Sequence, residues 1–321
     1  MRPPPVSPRI RILDSSRTDE RTAVRTFEAH RSRLEGLAYR MLGSVADAQD
    51  VVQEVWLRWA VTDQTAVAEP RAWLTKVCSR LCLDHLKSAR VQREVYPGPW
   101  LPEPLVVDRA VWDGEDAPND PAARLELDES VSFALLTAME RLSPAERAAL
   151  LLHDVFDHDY AEIAATLGRT ATACRQLVSR ARRRVGDDRK KATPSVSARE
   201  HRELLQQFLT AAASADFTGL KAVLRDDATF HSDGGGKAIA ARKVLVGADR
   251  IAKFFRGLVK THGARYTPDS LRWCWFNGAP GVIVLERRQP VTAFCIRVVG
   301  GRIGTLYALR NPDKLAAFER R

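Results

Sequence analysis

The stretch ERLSPAERAALLLHDVFDHDYAEIAATLGRTATACRQLVSRARRRV, residues 140–185, contains two helix-start signals and one glycine turn. Ser143–Glu146 and Asp159–Glu162 have the spacing of capping boxes, in which each end residue binds a backbone N–H of the other. Gly168 is placed to end the second, short helix, and Thr170 caps a longer basic helix. A short helix, a glycine turn and a longer basic helix predict a helix-turn-helix.

The longer helix has one apolar face and one polar face. Apolar residues predicted to be buried are Cys174, Leu177, Val178, Ala181 and Val185. The opposite face carries Thr172, Arg175, Gln176, Ser179, Arg180 and Arg183. Short donors in its first half suit base edges, and the cations of its second half suit phosphates. A solvated amphipathic face is the alternative, but such faces usually include acids, and this one has none before Asp187. We therefore predict that this face binds DNA.

Charge is separated along the chain, whose formal net charge is +10. Residues 169–191 hold nine Lys or Arg against two acids, a local charge of +7. Residues 103–129 hold nine acids against two arginines, a local charge of −7. Solubility alone does not require this separation, so the basic segment favours a polyanionic partner.

An earlier helical module is predicted from apolar spacing. The first stripe comprises Leu34, Leu37, Ala38, Met41 and Leu42 before Gly43, and the second comprises Ala48, Val51, Val52, Val55 and Trp59. On the second helix Asp47, Asp50 and Glu54 share one face, although like charges so placed are mildly destabilising. Compensation of the helix dipole is an alternative that explains Asp47 and Asp50 but scarcely Glu54.

A third helix is predicted to open at Glu69-Pro70. Its apolar stripe is expected to be Leu74, Val77, Cys78, Leu81 and His85, with His85 at the edge of the core. A second line contains Lys76, Arg80, Leu83, Lys87 and Arg90, with Trp73 at its start. Four cations and an aromatic ring provide for both phosphate contact and base stacking, although most charged faces are merely solvated.

Other bulk features narrow the classes of protein. No apolar run is long enough to span a membrane. The segment Met1–Glu20 has the prolines and mixed charges of a loose tail rather than a signal peptide. Five cysteines (Cys78, Cys82, Cys174, Cys274 and Cys295) form no C-x-x-C pair, so we expect reduced core residues in a cytoplasmic protein, with no metal.

Beyond residue 197 the pattern changes to helices followed by strands. Helices are predicted around 204–212, 220–224 and 251–258, and strands at 270–276, 282–286, 292–299 and 302–309. This order predicts an α+β domain with an antiparallel sheet.

The segments 47–60 and 70–94 resemble region 2 of extracytoplasmic-function (ECF) sigma factors, and residues 140–185 resemble their region 4. The resemblance implies that Asp47, Asp50 and Glu54 dock on the β′ subunit of core RNA polymerase. It implies further that Trp73, Lys76, Arg80, Lys87 and Arg90 read the promoter's minus-ten element, and that the Thr172–Arg183 face reads the minus-thirty-five element. Residues 61–69 resemble a pocket for a flipped base. The acidic linker resembles one that threads a polymerase channel, although a plain acidic spacer is an equal alternative. The implied partners are promoter DNA and the β′ and β subunits.

The C-terminal part resembles the SnoaL-like (NTF2-like) cone, and the chain resembles the sigma J type subgroup that carries this fusion. Three motifs support the closer match: Trp100-Leu101-Pro102, Asp233-Gly234-Gly235-Gly236-Lys237 and Asn311-Pro312-Asp313-Lys314. In that subgroup they are associated with contact between the appended domain and the sigma core. A flexible glycine loop and a simple helix cap are the alternatives for the last two.

The expected organisation is multidomain: two all-α modules and an α+β cone. The expected boundaries are a flexible tail (1–22), region 2 (23–95), an acidic linker (96–127), region 4 (128–190), a second linker (191–197) and a regulatory domain (198–321). A one-component helix-turn-helix regulator with a ligand-sensing domain is the alternative, but it leaves the first module unused.

The cone itself leaves an enzyme open as another alternative. Asp227, His231 and Asp269 are the candidate acid–base groups, with Trp273 and Trp275 as possible walls, and their separations decide whether they can act. Fold analogy alone does not license an activity, so we predict no catalytic residues and no cofactor. A small-molecule ligand of the cone stays open.

Overall fold

The computed structural model describes residues 9–94, 96–107, 132–190, 196–263 and 270–318. The chain divides into two compact units. The first unit consists of residues 1–87 and 144–179, and the second of residues 88–143 and 180–321. The boundaries of these units differ from those of the six segments expected from the sequence, which stay a prediction.

The first unit is helical. Its elements are α1 (Arg9–Leu42), α2 (Val45–Ala60), a short 3-10 helix (Gln64–Ala66) and the start of α3 (Pro70–Glu94). Both predicted apolar stripes of α1 and α2 are buried, and α1 ends at Gly43 as expected. The indole of Trp59 donates a hydrogen bond to the carbonyl of Ala23 at 3.1 Å, which ties α2 to α1.

Two details of this module differ from the prediction. Helix α1 already begins at Arg9, so the expected loose tail is wrong for residues 9–22. The last N-terminal proline is Pro8, and extending an existing helix is far easier than starting one.

The buried line of α3 also differs from the prediction. Leu74 and Cys78 are buried, whereas Val77, Leu81 and His85 are only half-buried. The line continues instead through Cys82 and Leu86. The buried face is rotated toward Thr75 and Ser79, and the Thr75 hydroxyl donates to the carbonyl of Arg71 at 2.8 Å, which removes its need for water.

The helix-turn-helix forms as predicted. It comprises α5 (Pro144–Asp154), α6 (Tyr160–Leu167) and α7 (Ala171–Lys190), and α4 (Phe133–Met139) precedes it. Asp159 and Glu162 form the predicted capping box, and Gly168 ends α6. The predicted apolar stripe of α7 is buried, and α7 is interrupted at Gly186.

The second unit contains a seven-stranded sheet with helices. Its helices are α8 (Ala198–Ala213), α9 (Phe217–Val223), α10 (Ala248–His262) and α11 (Pro312–Leu315), followed by a 3-10 turn (Ala316–Phe318). Its strands are β1 (Val106–Val107), β2 (Leu224–Asp233), β3 (Leu245–Val246), β4 (Leu271–Phe276), β5 (Ala279–Glu286), β6 (Gln289–Val299) and β7 (Arg302–Leu309). The predicted α+β class is confirmed.

The strand order is β1-β4-β5-β6-β7-β2-β3. Strands β2 and β7 are parallel, so the prediction of an antiparallel sheet is wrong at this pair. A parallel pair needs a long connection, and the chain between β2 and β7 is long enough because it contains α10 and four strands.

Both faces of the sheet are buried, and alternate residues of each strand go to opposite faces. Phe294 and Ile296 of β6 join a core with α8, α9 and α10. Cys295, between them, joins a second core on the other face. This second core also contains Leu101 from the predicted linker and Phe133 from α4.

Candidate functional site

The predicted docking face on α2 is accessible, but its three acids differ in their surroundings. Asp50 is exposed. Asp47 lies 3.4 Å from the imidazole of His85, and Glu54 lies 3.1 Å from the guanidinium of Arg58. These last pairs are partly exposed and leave carboxylate oxygens at the surface, so the face retains negative charge.

The predicted minus-ten line on α3 is only partly open to solvent. Trp73 is half-buried against Trp59, with ring centroids 5.3 Å apart. Lys87 is exposed but pairs with Asp84 at 2.8 Å. The side chain of Arg90 lies outside the described residues.

Arg80, in the middle of this line, contacts the helix-turn-helix rather than solvent alone. Its guanidinium donates to the carbonyls of Thr166 at 3.1 Å and Ala165 at 3.4 Å. These carbonyls lie in the last turn of α6, where they have no partner within the helix. The sequence pattern does not reveal this contact, because nothing in α3 indicates what faces it.

Two further arginines make the same kind of contact within the first unit. Arg147 of α5, which is buried, donates to the carbonyl of Met41 at the end of α1 at 2.8 Å. Arg33 of α1 donates to the carbonyl of Phe156, just beyond α5, at 3.1 Å, and stacks over its ring. Each arginine thus meets the end of a helix, where the helix dipole favours a cation.

The loop predicted to hold a flipped base borders a cleft of about 650 Å³. One wall comprises Thr62, Asp63, Ala66, Val67, Ala68, Glu69, Ala72, Trp73 and Lys76. The opposite wall comes from the helix-turn-helix: His158, Glu162, Ala165 and Thr166. The volume suits a nucleobase, but the second wall narrows its approach.

The polar face of α7 is exposed at all six predicted positions: Thr172, Arg175, Gln176, Ser179, Arg180 and Arg183. The guanidinium of Arg175 lies over the ring of Tyr160, 5.0 Å from its centroid. Tyr160 belongs to α6, so this contact fixes the direction of the Arg175 side chain.

The second unit brings the three predicted motifs together around one buried carboxylate, that of Asp233. This side chain is fully buried, and it accepts hydrogen bonds from the ammonium of Lys314 at 2.7 Å and from the amide of Leu101 at 3.0 Å. The Lys314 ammonium also donates to the Leu101 carbonyl and lies 4.0 Å from the ring centroid of Trp100. We call these residues, with Tyr96 and Asn311, the linker cluster.

The glycines of the second motif are required by close packing rather than by flexibility. Gly235 and Gly236 both have positive φ, at 60° and 73°. A Cβ on Gly235 would lie 2.5 Å from Asn311, and one on Gly236 would lie 2.7 Å from the ring of Pro97. Any larger residue would push the linker or α11 away.

Two residues of this part of the second unit, Tyr96 and Phe133, belong to none of the predicted motifs. Tyr96 donates to Asp233 and accepts a hydrogen bond from the Asn311 amide at 3.0 Å. Burial, and then the hydrogen bond to Asp233, raise the pKa of Tyr96. Phe133 packs edge-on against Tyr307, with centroids 5.2 Å apart. An aromatic residue beside a Pro-rich motif was the available signal for Tyr96.

The remaining members of the motifs lie at the edge of this cluster. Pro102 is buried, and Lys237 forms an exposed ion pair with Asp313 at 2.6 Å. Pro312 occupies the first position of α11 after the Asn311 cap. Residues 108–127, which are most of the predicted acidic linker, lie outside the described residues, as do residues 128–131 of the predicted region 4.

The two candidate acid–base residues that the structure describes, Asp227 and His231, each have other partners. Asp227 is exposed and paired with Arg225 at 2.8 Å. His231 alternates along β2 with the core residues Phe230 and Ser232 and stacks on Tyr307, so it faces the other side of the sheet. Asp269 lies outside the described residues. Trp273 and Trp275 are buried in β4.

Neither metal ligands nor membrane spans are found in the part of the chain that the structure describes. No group of three potential ligand residues comes together there. No described helix is both long and apolar enough to cross a bilayer. All five cysteines are buried and unpaired, which confirms their predicted core positions.

Comparison with known proteins defines the class first: the sigma-70 region 2 profile matches residues 26–91, and the sigma-70 region 4 profile matches residues 132–185. The chain is 40% identical over 303 residues to the ECF RNA polymerase sigma factor SigJ of Mycobacterium tuberculosis, covering 91% of this chain and 92% of that one. It is 36% identical over 294 residues to the probable ECF sigma factor SigI of the same species, covering 90% and 93%. The chain belongs to the ECF RNA polymerase sigma factors.

A solved structure agrees with this assignment. The crystal structure of Mycobacterium tuberculosis SigJ matches with a TM-score of 0.70 at 37% identity, covering 91% of this chain and 98% of that one. The resemblance drawn from the motifs is thereby confirmed, and the family acts in transcription initiation rather than as enzymes.

The linker cluster predicts different costs in stability for the two lysines that end the second and third motifs. Lys314→Met leaves Asp233 as an unpaired charge in a site that is fully buried, which should cost about 3–5 kcal/mol of unfolding free energy. Lys237→Met breaks an ion pair whose partners are 58% and 64% exposed, so it should cost at most about 1 kcal/mol.

Urea unfolding of the full chain, followed by near-UV circular dichroism, measures both costs. Equal losses from the two substitutions would show that Asp233 does not depend on Lys314.

Proposed function

We propose that this chain binds core RNA polymerase through α2 and directs it to promoters read by α3 and α7. The polar face of α7 carries the proposal, since six exposed donors and cations lie on it without an acid. The decisive experiment is run-off transcription by purified core polymerase with and without the chain. A protein with this role works in the cytoplasm, which is therefore the location we propose.

The docking surface is the acidic face of α2, offered to a basic surface of the β′ subunit. Replacing Asp50 and Glu54 with lysine should abolish capture by core polymerase, because both residues lie off the buried stripe and the change reverses the sign of the face. Co-purification with core polymerase measures this.

The matched control reverses Glu28 and Asp84, two exposed acids of α1 and α3. It changes the net charge equally and should retain capture. Loss of capture in both variants would indicate a general charge effect instead of a docking face.

The minus-thirty-five element is read by the first half of α7, and phosphates are held by the second half. Arg175→Ala should weaken binding by about 1–3 kcal/mol and relax preference at one or two base pairs, because a bidentate base contact is lost. Arg183→Ala should weaken binding to all sequences equally and reduce the salt dependence. Fluorescence anisotropy with a set of single-base promoter variants distinguishes the two patterns, and uniform losses from both would contradict base reading by Arg175.

The arginine contacts of the first unit tie α1 and α3 to the α5–α6 part of the helix-turn-helix in the free protein. Arg80 cannot hold the α6 carbonyls and a phosphate at once, and the second wall of the base cleft consists of His158 and three residues of α6. We therefore expect promoter binding to require that α6 leaves α3.

A substitution at Arg33 tests this expectation, because Arg33 is not among the residues proposed to read DNA. Arg33→Met removes the hydrogen bond to the Phe156 carbonyl and should raise the affinity of the free chain for promoter DNA by about three- to tenfold. Arg31→Met is the control, since Arg31 pairs with Glu28 on its own helix. Unchanged or weaker DNA binding by the Arg33 variant would contradict the idea that this packing opposes DNA.

The C-terminal domain acts on transcription by holding the linker, and a small-molecule ligand is the signal we consider for it. Lys314→Met should reduce run-off transcription several-fold, because the linker between the two modules is then released from Asp233, whereas Lys237→Met should not. A chain truncated before Thr193 should also lose transcription. Equal transcript yields from all of these proteins would contradict a regulatory role for the domain.

A further inference from the structure

A cavity lies inside the C-terminal domain, between the sheet and α10. It leaves about 60 Å³ for the centres of water-sized molecules. One water needs about 10–15 Å³ and a cavity that encloses benzene has about 150 Å³, so this space takes the edge of a ring whose remainder lies in the open mouth. Its walls are mainly aromatic: Phe230, Phe254, Phe255 and Phe294. A mouth between Ile239, Gly263 and Glu286 opens it to solvent.

Two hydroxyl groups line the cavity, those of Ser232 and Thr292, and only the Ser232 hydroxyl is available to a ligand. Ser232 is 2% exposed, lines the cavity, and has no hydrogen-bond partner among the described residues. Its neighbours are satisfied by the protein: Arg310 donates to the hydroxyl of Thr292 at 3.2 Å and to the carbonyl of Ile239. A hydroxyl that opens into a mainly apolar cavity gains a partner when a ligand oxygen binds there.

The charges of the lining favour an uncharged ligand. One acid and one base, Glu286 and Arg310, line the cavity, and Arg310 is already bound to protein oxygens. Phenylalanine rings prefer offset or edge-on contacts with another ring. A flat ring system with one hydroxyl or carbonyl oxygen fits both the walls and Ser232.

The polar end of the cavity is continuous along the chain with the linker cluster. At the end of β2, Ser232 faces the cavity, while the next residue, Asp233, binds Leu101 and Lys314. After β7, Arg310 faces the cavity, while the next residue, Asn311, binds Tyr96. The amide of Arg310 also donates to the Asp233 carbonyl at 2.7 Å, which joins the two strand ends.

We propose that the cavity binds an uncharged, ring-sized apolar molecule through one oxygen on Ser232, and that its binding strengthens the hold of Asp233 on the linker. The site itself is independent of the proposed function, whereas its effect on transcription rests on it. Coupling between the two sites must be reciprocal: a ligand that favours the docked linker binds more tightly when the linker is docked.

The first experiment uses two probes of equal shape, 2-naphthol and 2-methylnaphthalene, with the full chain. Fluorescence titration should show 2-naphthol binding about five- to tenfold more tightly, because only its hydroxyl can pair with Ser232. Ser232→Ala should remove this difference, and Thr218→Ala, at an exposed hydroxyl of the same domain, should preserve it.

A blocking variant locates the probe. Val259 is half-buried and lines the cavity from α10, so Val259→Trp should abolish binding of both probes. No saturable binding by the native chain would overturn the proposal. Equal affinities for the two probes, or affinities that survive Val259→Trp, would overturn the role of Ser232 or the location of the site.

The second experiment tests the coupling to the linker by hydrogen exchange. Saturating 2-naphthol should slow exchange of the Leu101 amide, which donates to Asp233, about five- to tenfold and should leave α2 amides unchanged. By reciprocity Asp233→Asn should weaken 2-naphthol binding, although Asp233 does not line the cavity. If the probe binds but neither slows exchange at Leu101 nor binds more weakly to the Asp233 variant, the proposed coupling is overturned and the proposed binding site is retained.

Transcription separates this inference from the proposed function. Native protein that initiates at its promoter with a yield independent of 2-naphthol would overturn the regulatory part alone. Absence of initiation under every condition would overturn the proposed function. The binding and exchange results would still show whether the cavity is a ligand site.

Discussion

The buried ion pair between Asp233 and Lys314 is the constraint on which the second unit depends. Two charges removed from water are stabilising only when their remaining hydrogen bonds are satisfied. Here the partners that satisfy them, the amide and carbonyl of Leu101, come from a segment that is distant in sequence. The charged pair therefore specifies where the linker lies, because Leu101 supplies a hydrogen-bond partner to both groups.

This constraint extends to the sheet. Once Leu101 is fixed, the chain reaches β1, which pairs with β4 and forms one edge of the sheet. The same face of the sheet receives Phe133 of α4, so the segments on both sides of residues 108–131 are core residues of the C-terminal domain. A domain whose second core includes residues of the linker and of α4 is a structural part of the factor, which is why a point change in it is expected to affect transcription.

The sequence predicted the elements well and their partners poorly. Local signals such as the capping box at Asp159 and the stripe of α7 depend on neighbouring residues, and the structure agrees with them. The motif residues around Asp233 were found only through resemblance. The contact of Arg80 with α6 was not found, because a cation on a helix surface has the same pattern whether it meets a phosphate or a carbonyl. The parallel pairing of β2 with β7 was missed for a similar reason, since a strand's own residues do not encode its neighbour's direction.

The role of Arg80 follows from that ambiguity. A guanidinium binds a phosphate and the carbonyl end of a helix through the same donors, and both offer negative charge. A residue with the DNA-reading role proposed for Arg80 is thus also suited to hold α6 when DNA is absent. Under that proposal the two states compete for one group, so the contact seen in the free protein is given up on the promoter, and the net gain from Arg80 on DNA is smaller than its contacts there alone would give. Packing of this kind lowers affinity for DNA in general while leaving discrimination between promoters unchanged, because the same contact is given up whichever sequence is bound.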